Sequence, residues 1–490
     1  MNPKRFAVLS SLLSLLLLTF CTGLMKKQPK QPSISDSISD KILQEYVRHL
    51  SSEDYAGRLT GTREYESCAQ WAVDLFKKWG LEPAGDRGTY LQKYSNPYTL
   101  VFVGGELSRR FQSGKKRKYI YEKEYYPGSH SGSGRITAEV VYAGFGITAP
   151  ELSYDDYVDV NVKGKIVLME PGIPVSRDNP QIYKEWRPYS DNQYKVKMAV
   201  AQGAKGMLLN QLAVIADSDY VHGFMVAHIG DTVVNDIFKS TGKSHKDTKM
   251  KIMGSLKPQS FRTQKLFTIE NLTEHYPHGK GYNILGLLEG SDPELKKEVI
   301  IIGANLDHVG FCYEVIPGAN DNASGIAVLL GITEMFYRYS INPQRSLLFI
   351  CFGSKEQALR GSKAYLSSPV FSKRQTIAFI NLDMVGCGDQ IHVYGAKDHE
   401  KLWKCILKSN KKTVSRPLHP QLFPTIEHPA YDASMFFNAG IPSLIITVRG
   451  APTYPHTTRD TAETITPGIM EDLTIILFRS LLELANSKRI

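Results

Sequence analysis

Apolar positions along the chain follow two periodicities. Ala69, Trp71, Ala72, Leu75, Phe76 and Trp79 recur at helical spacing, and Gly80 with Pro83 ends that pattern. A strand-rich region follows from about Val101. From Ser129 the texture changes: strands are predicted at 139–142 and 165–169, separated by a turn at Gly144 and Gly146. A helix at 195–202 stops at Gly203, and 206–210 returns to strand. This β-β-α-β order predicts an inserted domain ending near Glu270. From Tyr282 onward, continuous apolar runs at 299–303, 346–353, 376–382 and 443–447 alternate with helical patterns at 324–339, 356–366 and 468–484. Such runs, too apolar to have a wet face, predict an α/β fold: a mostly parallel sheet covered by helices on both faces.

A chain of 490 residues exceeds one ordinary core. The expected organisation is a signal peptide at 1–21, a tether at 22–41, and the N-terminal part of the main domain at 42–128. A small β-rich insert at 129–270 and the rest of the main domain at 271–490 complete it. Lys4 and Arg5 precede an apolar stretch at 6–20, which reads as an export signal too short to span a membrane comfortably. The residues before Cys21 loosely resemble a bacterial lipobox, so the expected location is the cell envelope, lipid-anchored at Cys21. Phe20 is bulky for its position, and uncleaved anchoring or ordinary secretion are the alternatives.

Charge changes the picture little. The net +10 is spread along the chain, and its densest run is Arg109, Arg110 and 115–118. That run brackets Ser113 and Gly114, so it reads as a solvated hairpin tip and not as a nucleic-acid surface. Past the signal, Cys68, Cys312, Cys351, Cys387 and Cys405 are odd in number and irregular in spacing. They form neither a disulfide framework nor a CxxC metal site, and read as small buried hydrophobes.

Candidate chemistry collects where the predicted strands end. Asn305 and Asp307 follow the first apolar run, Lys355 and Glu356 the second, and Asp383 the third. His456 lies in the loop after the fourth, and Asp321 in a glycine-bearing loop before a helix. Ligands in open α/β sheets gather beyond the carboxyl ends of strands. Zinc takes carboxylate oxygen and imidazole nitrogen, and a pair of zincs needs a bridging carboxylate, for which Asp321 is placed. Ser354 and Gln357 alone would read as a helix capping box, but Lys355 would then oppose the helix dipole. Nearby carboxylates are needed to favour its ammonium.

The strings 303–310 (GANLDHVG), 317–325 (PGANDNASG), 354–362 (SKEQALRGS), 381–386 (NLDMVG) and 455–461 (PHTTRDT) resemble metallopeptidase family 28. These are the co-catalytic zinc aminopeptidases, relatives of glutamate carboxypeptidase, transferrin receptor, nicastrin and glutaminyl cyclase. Residues 144–169 similarly resemble the protease-associated domain inserted in many members. The resemblance implies a two-zinc site with Asp321 as bridge, Glu356, Asp383 and His456 as ligands, and Asp307 orienting the histidine that an intact site has at position 305. It also puts Asn305 where the family has its first histidine, and Lys355 where it has its catalytic glutamate.

The expectation is therefore a degenerate member with one zinc at most, acting on or binding a peptide or aminoacyl group. Hydrolysis is weak or lost, and Asn305, Asp383 and Lys355 are rebuilt as a hydrogen-bonded ion pair. A one-zinc exopeptidase on Asp321, Glu356 and His456, with Glu427 or Asp432 as base, is the first alternative; a non-catalytic receptor-like module is the second. His308 is given little weight as a ligand, and His222, His228, His275 and His278 are expected at the surface.

Overall fold

The computed structural model describes residues 38–176, 178–216, 219–421 and 431–488. The signal segment, Cys21 and residues 22–37 of the tether lie outside the described residues, as does Glu427. The tether's last positions are already structured: Asp40–Leu50 is an α-helix with Leu43, Val47 and Leu50 buried.

A nine-stranded sheet carries the main domain. Its centre is four parallel strands in the order Ser346–Phe352, Val299–Asn305, Thr376–Leu382, Ser443–Arg449. Every residue of the first two is buried, as their unbroken apolar runs predict. The flanks are antiparallel: Lys280–Leu288 pairs with Ser346–Phe352, and Gln390–Tyr394 with Ser443–Arg449. Helices cover both faces. On one, Phe349 packs against Phe336 of helix Ser324–Arg338 and Phe336 against Phe478 of helix Ile469–Ala485. On the other, Phe352 and Phe379 meet Phe436 of Asp432–Asn438, which stacks on Tyr365 of Arg360–Ser367. The α/β expectation holds, with parallel pairing concentrated in the four central strands.

The helix predicted at 356–366 begins later, at Arg360. Ala358 and Leu359 take left-handed backbone (φ +66° and +58°), so 354–359 forms a turn. The capping box does not form: the Ser354 hydroxyl pairs with Tyr94, and Gln357 accepts from Asn96.

A second, ten-stranded sheet takes its long strands from Tyr98–Arg110 and Phe261–Tyr276, so it begins before the expected insert boundary at 129 and runs past 270. Within it Gly134–Tyr142, Ile166–Met169, Gly206–Leu209 and Met225–Ile229 run parallel, with helix Asn192–Ala201 between the second and third. The basic run is a hairpin in which Arg109 faces Arg117 and Arg110 faces Lys116. Its cations are answered locally, Lys116 and Lys118 by Glu106, and Arg109 and Arg117 by Asp236. All five cysteines after the signal are free and buried.

Arg58 ties these parts to the loops that carry the candidate site. Fully buried, it donates from Nε to the Leu306 carbonyl (2.8 Å), from Nη1 to those of Leu50 and Pro317 (2.6 and 2.7 Å), and from Nη2 to that of Gly318 (2.8 Å). Arg58→Met would leave these carbonyls dry and unpaired. It is expected to lower unfolding free energy by about 3–5 kcal/mol in chemical denaturation.

Candidate functional site

Parallel strands end on one side of a sheet, so the residues after Asn305, Phe352, Leu382 and Arg449 share one rim. Left-handed backbone at Ser354, Met384 and His456 (φ +56°, +53° and +59°), uncommon for residues with a side chain, turns three of these loops inward.

Lys355 stands at the centre. Its Nζ is 2.7 Å from Glu356 Oε1, 3.2 Å from Asp321 Oδ1 and 3.5 Å from Asp383 Oδ2, with its side chain only 10% exposed. On the opposite side, His456 Nε2 lies 3.1 Å from Glu356 Oε2 and 3.3 Å from Asp321 Oδ2. Asp321 and Glu356 thus each present one oxygen to the ammonium and the other to the imidazole.

The electrostatics follow from burial set against these pairings. Burial alone would depress the lysine's pKa, yet Asp321, Asp383 and Glu356 together hold it well above its ordinary range. Burial likewise opposes ionisation of Asp321 and Glu356. Lys355 reverses that, keeping Asp321 well below the usual carboxylate range and Glu356 down at about 2. Asp383 has only the longest contact with the ammonium, and burial pushes it up to about 7. Burial would keep His456 neutral, but Glu356 and Asp321 raise it well above its usual value.

Each member is held from behind. The Asp307 carboxylate accepts from the backbone N–H groups of Lys355 and Glu356 (both 3.1 Å) and so shapes their turn. Asp307 meets the Asn305 side chain only through its backbone. Asn305 Nδ2 donates to the Asp307 backbone carbonyl (3.1 Å), and Asn305 Oδ1 accepts from Asn322 (2.8 Å). Asn305 is therefore no part of the ion pair with Lys355; its amide bonds Asn322 and the Asp307 backbone instead. Asp460 accepts from the N–H groups of Asn320 and Asp321 (2.9 and 3.0 Å), aiming the Asp321 loop. That loop is stitched to the Asp383 loop: Met384 N donates to Asn322 Oδ1, Val385 N to Ser324 Oγ, and Gly386 N to Asn320 Oδ1. His456 Nδ1 donates to the Val214 carbonyl (2.7 Å), which leaves Nε2 facing the carboxylates. Val214 belongs to the stretch between Gly206–Leu209 and Met225–Ile229, so the second sheet's connections orient a residue of the first sheet's rim.

The residues Asp321, Glu356 and His456 come together with His308 as a group able to hold one metal ion. Asp383 and Asn305 do not join them. His308, given little weight as a ligand from the sequence, joins the group. Asp460 stood inside the 455–461 string without a role, and Arg58 carried no local signal at all. His228, expected at the surface, is buried in strand Met225–Ile229, 5.6 Å from the His130 ring. Asp432 is buried as well, its carboxyl pushed up to about 7.

Residues 283–480 match the sequence model of Peptidase family M28. Aminopeptidase YwaD of Bacillus subtilis (strain 168) is 30% identical over 249 residues, 49% of this chain and 45% of that protein. Leupeptin-inactivating enzyme 1 of Streptomyces exfoliatus is 34% identical over 107 residues, 22% of this chain and 23% of that protein. The matched stretches span less than half the length of these curated relatives. An aminopeptidase from Aneurinibacillus sp. strain AM-1 superposes with a TM-score of 0.65 at 20% identity, covering 93% of this chain and 96% of that one. BSAP, a zinc aminopeptidase from Bacillus subtilis, gives 0.63 at 20% identity, with 92% and 97% covered. The chain's resemblance to family M28 rests on the sequence match, and these structures share its fold.

Replacing the ammonium should expose what it balances. Lys355→Met is expected to lower stability of the metal-free protein by about 3–5 kcal/mol at pH 8. The wild-type ammonium is charged in the folded state throughout this range, so its contribution is fully present. In the variant, the carboxylates released from it take up protons as pH falls, so the deficit should shrink by pH 5. Denaturant titrations at the two pH values check the sign.

Proposed function

We propose that this chain keeps the frame of a zinc aminopeptidase while its centre has lost two-metal chemistry, so that peptide hydrolysis is weak or absent. The observation that supports this is the division of Asp321 and Glu356 between Lys355 on one side and His456 on the other. Asp321, which the resemblance makes the bridge between two ions, here bridges an ammonium and an imidazole. The Lys355 charge takes the place of one ion, among Asp321, Glu356 and Asp383.

Asp321, Glu356 and His456 fit a single zinc in donor type and in spacing, and would hold it. When bound, zinc supplies Lewis acidity toward a carbonyl or water. At the position the resemblance gives to the general base, the chain supplies no proton acceptor. Lys355 is held charged by three carboxylates, and lacking a general base costs roughly 10²–10⁴ in rate. Asn305 has its amide committed to Asn322 and Asp307, and Asp432 is buried. The role that remains is recognition of a peptide or aminoacyl group at the rim. Export and a lipid at Cys21 belong to the same proposal and rest on the N-terminal sequence. No helix among the described residues is long and apolar enough to cross a membrane.

Elemental analysis of the purified protein is expected to give at most one zinc per chain, with little or no release of p-nitroaniline from aminoacyl-p-nitroanilides. Two zincs with brisk turnover would overturn the proposal. Asn305→His and Lys355→Glu together are expected to raise metal content toward two and bring hydrolysis up by at least about 10², with each single substitution ineffective.

A further inference from the structure

One imidazole of the centre has no partner. His308 is fully buried, and neither of its ring nitrogens finds a hydrogen-bond partner. A buried polar ring left in that state is unfavourable unless something other than the chain satisfies it. Its placement is well determined. The His308 backbone N–H donates to the Arg58 carbonyl (3.1 Å), and its ring meets that of His456 edge-on, with centroids 5.3 Å apart. Gly318 closes the third side. It has φ +62°, and a Cβ there would fall 2.5 Å from His308 Cγ and Cδ2. Only glycine lets the ring lie against this loop.

A ring nitrogen of His308 and ligand atoms of Asp321, Glu356 and His456 all lie within 4.8 Å of one another. Within that group, His456 Nε2 is already 3.3 and 3.1 Å from the two carboxylates. The edge of a tetrahedron with bonds of about 2.0–2.1 Å is roughly 3.3 Å, so His456 stands at zinc spacing from each carboxylate. The carboxylate oxygens on this side are not those that Lys355 uses.

We infer that His308 is a metal ligand, completing with Asp321, Glu356 and His456 a site of two imidazoles and two carboxylates for one zinc-type divalent cation. This rests on the reading that Lys355 stands in for the second ion. Four protein ligands leave no open position for water or substrate, the condition of structural rather than catalytic zinc. The ion would pin together the loop after Val299–Asn305, the Asp321 loop, the 354–359 turn and the His456 loop.

The test uses the full chain stripped of metal and titrated with zinc against a chromophoric chelator, alongside His308→Phe, which keeps a ring but removes both nitrogens. Wild type should take up one ion, and the variant should bind it at least about tenfold more weakly. Cobalt(II) in the wild type should give the intense visible absorption of a tetrahedral ion, and the variant should lose most of it. Metal-free His308→Phe should unfold no lower than metal-free wild type; if that variant fails to fold, His308→Ala replaces it. Equal zinc affinity and an unchanged cobalt spectrum would overturn the His308 assignment while leaving the Lys355 reading intact. No zinc uptake by wild type would do the same. Two ions per wild-type chain would overturn both.

Discussion

The ammonium of Lys355 lies where Asp321, Glu356 and Asp383 converge, and their burial makes each charge depend on the others. Three carboxylates cannot share a dry pocket as anions without counter-charge. Here one unit of it comes from the chain. Asp383 shows how far this goes: at the longest distance from the ammonium, it is also the carboxylate whose pKa burial raises to about 7.

The rest of the centre is built to hold this arrangement still. Asp307 shapes the turn bearing Lys355 and Glu356 through two backbone N–H groups, and Asp460 does the same for the Asp321 loop. Arg58 clamps the carbonyls of Leu306, Pro317 and Gly318 from below. The second sheet takes part, since the carbonyl of Val214 decides which nitrogen of His456 faces the carboxylates. This supporting framework holds the loops that carry Asn305 and Lys355 around one charge pattern.

The apolar runs at 299–303, 346–353, 376–382 and 443–447 became the four parallel strands nearly residue for residue, because a strand buried on both faces has no polar position to blur its limits. The expected helix start at Glu356 gives way to a turn for a complementary reason. Ser354 and Gln357 have capping chemistry, but Tyr94 and Asn96, distant in sequence, take their hydrogen bonds first. His228 was misplaced because a histidine in a short strand carries no mark of which sheet will cover it.

Residue identity and order alone determined the α/β frame and the rim on which the polar residues gather, Asn305 and Lys355 among them. These are local properties: apolar continuity, motif spacing and side-chain chemistry. Tertiary structure decided how the carboxylates are divided. That Asp321 and Glu356 give one oxygen to Lys355 and the other to His456 depends on rotamers set by four loops at once. So does the unpartnered ring of His308, which only the approach of Gly318 and His456 across the rim could bring into the group.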